Sequence, residues 1–506
     1  MPNNTSERQW SIVAPNRFIR ATRDSGYRNT ASAVSELVDN AIQAGARNID
    51  IHIEKTTSNP PIEISVVDDG CGMDPFTLRQ ALRFGGSSRF NDRSGLGRFG
   101  MGLPNSSLSQ ARHVTVTSWR KISTKRTTKQ NVLGSGNYLQ TYLDVDEIVD
   151  GRTSEVPAPC KVAPPRLARK TPSGTAVHWT QCDRLDFRRV DTICRHLTQD
   201  LSQRFRFFVQ SGTNIRVNNS PIQPFDPLFL QIPSKHSATQ YGDDIVYTVS
   251  SNPNDRDSPT GTVRVIFVEL PVAAWVCLSN EEKRERRIVG NAGTSVVRAD
   301  REVDYGWYFF GAKRKENYDD WWRCEVHFDP ILDEAFGLTH TKQQIKPQRY
   351  LLDALCTDLE ATARILSARA RKAHAALEKK RPIRLSESIV STRSAILEPL
   401  PAVGRSRSAG KISYKIEVAP LEPGSFFSFE RKRDEFVLTL DPDHAFYREF
   451  YAPLSASFGG KRTQSIVELI LFSAVRGEAT MSKKERAVVS RFRTKWGETL
   501  ETLLGD

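Results

Sequence analysis

The chain has 506 residues, 38% of them hydrophobic, and a formal net charge of +13. That apolar content supports ordinary buried cores and excludes a disordered chain, and the length suggests about three domains. No apolar run reaches the roughly eighteen residues of a membrane span. The start, MPNNTSERQW, is polar and lacks an apolar signal region, so a cytoplasmic protein with no membrane partner is expected. The basic balance favours a polyanionic partner such as DNA, although basic surfaces also serve solubility. Seven scattered cysteines without CxxC spacing read as reduced thiols, not as zinc ligands.

In chain order, the first strong signal is ASAVSELVDNAIQAG, from Ala31 to Gly45. Apolar residues recur at helical spacing, so the stretch predicts an amphipathic helix. Glu36 and Asn40, four apart, project from the same face. A carboxylate there can orient and deprotonate a water, and an amide oxygen is a hard ligand for Mg²⁺. Taken alone, the pair also reads as a solvated polar stripe.

NIDIHIEK and PIEISVVDDGCGM then predict two strands. Asp68 closes the second, and Gly70 and Gly72 allow a tight turn and close approach to a flat ligand. A carboxylate at such a turn can accept a hydrogen bond from the exocyclic amine of adenine. In LRFGGSSRFNDRSGLGRFGMGL, Gly95, Gly97, Gly100 and Gly102 are spaced to turn backbone N–H groups toward an anion. A helix from about Leu103 would aim its positive end at a phosphate. A mobile lid and a plain surface loop both fit this run. HVTVTSW, TYLDVDEIV and TAVHWTQCD read as further strands, with 156–172 as an irregular arm and 120–129 as a charged hairpin tip.

ELVDNAIQAG, VVDDGCGM and GRFGMGL, followed by SGT at Ser173–Thr175, match four motifs in order. The chain thereby resembles the GHKL ATPase superfamily of gyrase, Hsp90, histidine-kinase and MutL relatives. The resemblance implies an α+β fold: a two-layer α/β sandwich (Bergerat) ATPase domain over residues 1–185 that binds ATP and Mg²⁺ between helices and lid. It makes Glu36 the general base for water, Asn40 the Mg²⁺ ligand and Asp68 the adenine reader, supported through water by Thr175. Gly70, Gly72 and Met73 would shape the adenine pocket. Ser87, Ser88, Gly97, Arg98, Phe99, Gly100, Met101 and Gly102 would form the phosphate loop and lid. FGGSSR is similar to the FGxSxK stretch of the MORC branch, with Arg89 in place of its lysine. Asp39 falls within the same motif and reads as support at most.

Residues 186–350 read as a second α/β domain, with RRVDTICRHLTQDLSQRF helical and FFVQSGTNIRVNNSPIQPFDP, GTVRVIFVELP, AAWVCL, SVVRADREVD and RCEVHFDPILDEAF β-rich. THTKQ resembles the loop that the S5-like transducer domain of the MutL, gyrase and MORC branches inserts into the ATP site. That resemblance makes Lys342 a catalytic γ-phosphate sensor with Gln343 beside it. A long basic helix over 351–382, a linker over 383–411 and a small α+β interaction domain over 412–506 complete the expectation, the last without a catalytic constellation. The resemblance implies a slow ATP-gated clamp that dimerises on nucleotide and acts on DNA in repair, chromosome handling or defence. A partner protein would engage the C-terminal domain. The alternatives are an Hsp90-like clamp on a protein client and a module that binds ATP without hydrolysis.

Overall fold

The computed structural model describes residues 14–27, 29–86, 101–120, 138–165, 171–231, 237–255, 257–338, 344–380, 383–397, 400, 412–431, 435–456 and 459–505. The chain divides into two compact units, 1–271 with 292–370, and 272–291 with 371–506.

The first unit opens with helices α1 (Pro15–Asp24) and α2 (Thr30–Gln43). Asn29 caps α2, its side chain accepting from the Ser32 amide. Ala33, Val34, Leu37, Val38 and Ala41 form the buried stripe of α2. Strands β1 (Asn48–Lys55) and β2 (Ile62–Asp68) pair antiparallel. Helix α3 (Pro75–Ala81) follows, then α4 (Gly102–Gln110), β3 (His113–Trp119), β4 (Tyr138–Asp144), α5 (Val145–Val149), β5 (Cys160–Val162) and β6 (Gly174–Thr180). Next come α6 (Val190–Arg204), α7 (Arg206–Gln210), β7 (Asn214–Val217) and β8 (Ser220–Pro221).

These strands form a mixed eight-stranded sheet in the order β5-β4-β3-β6-β2-β1-β7-β8. One face packs against the helices in a core that includes Val34, Leu37, Ile51, Ile64, Leu108, Val116, Trp179 and Leu197. On the other face Val67, Trp119 and Ala176 cluster with Tyr138. Helices on one side of a largely antiparallel sheet make an α+β sandwich.

Three local expectations differ. TYLDVDEIV is a strand only to Asp144, because the Asp144 carboxylate accepts from the amides of Asp146 and Glu147 and starts α5. Asn214–Val217, expected with the second domain, pairs parallel to Asn48–Ile51 and extends the first sheet. Helix α6 therefore hands the chain back to the sheet it left, and the sheet runs to Pro221. Cys160–Val162, expected to be irregular, adds an edge strand on β4.

The second sheet of this unit uses β9 (Thr239–Gln240), β10 (Ile245–Ser250) and β11 (Thr260–Glu269). Between β11 and the next strand lie short helices α8 (Val272–Trp275) and α9 (Asn280–Glu285), both in the other unit. AAWVCL is thus helical at its start and not a strand. Strands β12 (Thr294–Arg298), β13 (Arg301–Gly306) and β14 (Trp322–Phe328) complete the order β10-β11-β14-β12-β13, with β9 on β11. Ala299 and Asp300, both at positive φ, make the tight β12–β13 turn. Helix α10 (Arg349–Lys380, 32 residues) buries Leu351, Leu355, Leu359, Ala363 and Leu366 in the core of this sheet.

In the second unit, α11 (Leu385–Arg393) precedes β15 (Ser413–Val418), β16 (Phe427–Arg431) and β17 (Glu435–Leu440), ordered β15-β17-β16. REFYAPL contributes to a π-helical turn, Phe446–Tyr451, followed by α12 (Gly460–Thr480) and α13 (Lys483–Leu504). Tyr414, Ile416, Phe436, Leu438, Phe472 and Val475 form its core. Among the described residues no helix is long and apolar enough to cross a membrane.

Candidate functional site

Helix α2 holds two of the predicted residues. Glu36 is buried and Asn40, one turn on, is half-buried. The N-terminal end of α4 abuts the first of them: a Cβ on Gly102 would overlap Glu36 Oε1. The positive end of a nine-residue helix thus meets the carboxylate directly. Met101 is the N-cap of α4.

Sequence reasoning missed Tyr27, buried just ahead of α2. Burial, then the Glu36 and Asp39 carboxylates, holds its phenol well above the ordinary range, so it stays neutral, and its hydroxyl has no hydrogen-bond partner among the described residues. Asn105 was also missed. It lies on α4 one turn from Gly102, buried, and its Oδ1 has no hydrogen-bond partner among the described residues.

A second cluster sits at the C-terminal end of β2. Of the two adjacent aspartates, Asp69 is engaged structurally: it accepts from the Arg47 amide at 2.8 Å, the Asn48 amide at 2.9 Å and the Asn48 side chain at 2.6 Å. Asp68 points the other way, as strand alternation requires. It is buried and accepts from the Gly70 amide at 2.8 Å. Burial pushes its carboxyl up to about 6, against the opposing pull of the Gly70 and Thr175 amides.

The surrounding glycines leave no room for side chains. A Cβ on Gly70 would lie 2.7 Å from Ala44 Cβ. On Gly72, at φ +65°, it would overlap the Trp119 carbonyl, and on Gly174 the Asp68 carbonyl. Thr175 pairs with Asp68 across β6 and β2. Ser118 ties the cluster together and carried no sequence signal beyond strand alternation. Its Oγ accepts from the Met73 amide at 2.8 Å, donates to the Gly174 carbonyl at 3.0 Å and lies 3.1 Å from Thr175 Oγ1.

Two clusters are therefore present: a buried carboxylate among glycines, able to accept from an exocyclic amine, and an acid and amide on one helix face. Ser87, Ser88, Gly97, Arg98, Phe99, Gly100, Lys342 and Gln343 lie outside the described residues. A cavity of about 640 Å³, lined by Phe18, Phe76, Arg83, Phe84, Leu143 and Val156 among others, includes none of the predicted site residues. Its apolar walls belong to α1, α3 and α5, not to the polar clusters above.

Asp39 is fully buried, and its Oδ1 accepts from Arg301 Nε at 2.7 Å. Arg301 opens β13, so the helix carrying Glu36 and Asn40 is tied directly to the second sheet.

The sandwich and its ordered motifs define a nucleotide-binding domain of the GHKL ATPase class. Residues 27–150 match the family described as histidine kinase-, DNA gyrase B-, and HSP90-like ATPase. It is 34% identical over 114 residues to Protein MICRORCHIDIA 6 of Arabidopsis thaliana, covering 22% of this chain and 16% of that protein. It is 43% identical over 93 residues to the DNA mismatch repair protein MutL of Rhodospirillum rubrum, covering 17% of this chain and 14% of that protein. It is 37% identical over 78 residues to human ATPase MORC2, covering 15% of this chain and 8% of that protein. The chain matches less than a fifth of the length of each of these relatives.

Proposed function

We propose that the chain is a Mg²⁺-dependent ATPase that works as a nucleotide-gated clamp, dimerising on ATP binding and acting on DNA. The observation that carries the reading is the arrangement around α2. Glu36 and Asn40 face one way, the N-terminus of α4 abuts Glu36, and Asp39 on the same helix binds a strand of the second sheet.

In this reading Asp68 receives the adenine amine, and Gly70, Gly72 and Gly174 let the segments around it pack closely, since a side chain there would meet Ala44, the Trp119 carbonyl or the Asp68 carbonyl. Glu36 holds and deprotonates the attacking water, with the neutral, unpartnered Tyr27 hydroxyl buried nearby. Asn40 would hold Mg²⁺, which when bound neutralises phosphate charge and fixes the phosphates' geometry. Lys342 would sense the γ-phosphate, with Gln343 beside it. A ligand that binds open and closed arrangements unequally shifts their populations, and its hydrolysis resets them. The net charge of +13 and the similarity to MutL, a DNA mismatch repair protein, favour DNA over a protein client.

The test is solution mass by light scattering, with and without a non-hydrolysable ATP analogue and Mg²⁺. A step from monomer to dimer that Asn40→Ala abolishes supports the gate. A mass indifferent to nucleotide, with binding measured, rejects it. DNA retention that weakens steeply with salt supports the substrate class, and the lack of any retention at low salt favours a protein client.

A further inference from the structure

The Asp39–Arg301 pair joins residues 262 positions apart and is almost wholly removed from water, at 0% and 2% exposure. It is not isolated. The Arg301 guanidinium lies over the ring of buried Phe205, 5.7 Å from its centroid, at the C-terminal end of α6. Ser35, one residue before Glu36, reaches Asp200 of α6 at 3.5 Å, and Asp200 holds Arg204 at 2.8 and 3.0 Å.

Beyond Arg301 the polar chain continues through its neighbour. Glu302 accepts from Gln203 at 2.8 Å, Ser295 at 2.6 Å and Arg206 at 3.1 Å, and Arg206 also binds Glu325 of β14. Buried ion pairs contribute little net stability compared with apolar packing, but they fix geometry sharply because any misplacement leaves a charge unpaired. Asp39 lies between Glu36 and Asn40 in sequence, about 60° from the first and about 100° from the second around the helix. Its grip on Arg301 therefore sets the rotation at which the helix presents the acid and the amide.

We propose that Arg301 is a positioning residue: through Asp39 it holds α2 in its working rotation, and it carries nucleotide occupancy at α2 into the β12–β13–β14 sheet. This rests on the ATPase reading above.

The experiment uses the full chain and the variants Arg301→Gln, Arg301→Lys, Asp39→Asn and the double Asp39→Asn/Arg301→Gln. Arg298→Gln is the control for damage alone. Arg298 forms a likewise buried pair with Asp333, at 2.6 and 2.9 Å and 4% and 7% exposure, that stays within the second sheet's own module. ATP affinity, single-turnover hydrolysis and hydrogen exchange of 301–306 are measured with and without a non-hydrolysable ATP analogue and Mg²⁺.

For Arg301→Gln the expected result is ATP affinity within about threefold of the parent and hydrolysis about ten- to a hundredfold slower. Nucleotide-induced protection of 301–306 is lost. Arg301→Lys recovers part of both. The double variant regains stability, having no orphaned charge, but not turnover or protection. Arg298→Gln loses stability while keeping turnover and protection. If Arg301→Gln does not fold, the double variant and Arg301→Lys carry the test on the same readouts.

Parent-like turnover and protection in the variants that fold overturn the inference, as does an equal loss in Arg298→Gln. In both cases the parent still hydrolyses ATP, so the ATPase reading survives. A parent chain that neither binds nor hydrolyses ATP overturns both.

Discussion

Glu36 and Gly102 occupy each other's space: the glycine's missing side chain is what admits the carboxylate. A Cβ at 102 would overlap Glu36 Oε1, and the displaced atom is the end of a flexible side chain, not backbone. Gly102→Ala should therefore fold, with stability within about 1 kcal/mol of the parent. Turnover should fall by about tenfold or more as Glu36 swings away. Thermal unfolding beside steady-state ATP hydrolysis measures both, and unchanged turnover would argue against Glu36 as the base.

Glu36→Gln separates binding from chemistry. The amide keeps the shape but cannot take a proton, so hydrolysis should drop by about a hundredfold or more while ATP still binds. Asn40→Ala should instead weaken Mg²⁺-dependent binding. Titration calorimetry with and without Mg²⁺ distinguishes the two, and a Glu36→Gln variant of full activity would remove Glu36 from the mechanism.

Asp68 gives a pH signature. Its folded carboxyl is raised from an ordinary 3.8 to about 6, so the folded chain binds this proton more tightly than the unfolded chain. Stability from this group is therefore greatest below pH 4 and declines as pH rises to about 6, by about 3 kcal/mol. Asp68→Asn removes that decline and should stabilise the chain at neutral pH. The same variant should lose ATP affinity, because an amide is a poorer acceptor for the adenine amine. In the parent, ATP affinity should weaken as pH falls from 7.5 through 6. Denaturant unfolding and nucleotide titration across pH 4.5–8 check both signs, and a flat parent binding profile would count against the adenine contact.

Ser118→Ala tests the tie behind the pocket. It orphans the Met73 amide and frees Thr175 and the Gly174 turn, so a loss of about 1–3 kcal/mol is expected. ATP affinity should fall with it. Restored affinity and stability in Ser118→Thr, which returns the hydroxyl, would assign the loss to these bonds, and a stable Ala variant would show that Met73 and Thr175 hold themselves.

Much of this molecule was legible in the sequence because local chemistry wrote it. Helical periodicity in ASAVSELVDNAIQAG set α2 and put Glu36 and Asn40 on one face. Alternation in NIDIHIEK and HVTVTSW set β1 and β3, and the glycines after Asp68 marked a turn where no side chain fits. The misses have equally local or nonlocal causes. Asp144 diverted a strand into a helix by a cap that is weak in sequence, and β7 joined the first sheet by a parallel pairing with β1 that spans 166 positions at Asn48–Asn214.

The roles of Tyr27, Ser118, Asn105 and Arg301 belong to the tertiary structure alone. Each is an ordinary residue until folding removes water from it. Only burial keeps a phenol neutral beside two carboxylates, and only a neighbouring chain segment makes a serine a three-way tie or an arginine the counter-charge of Asp39. The sequence by itself determined which residues share a helix face and where the backbone turns, since those follow from period and glycine. The fold decided which charges meet in the dry interior, because that depends on segments hundreds of positions apart.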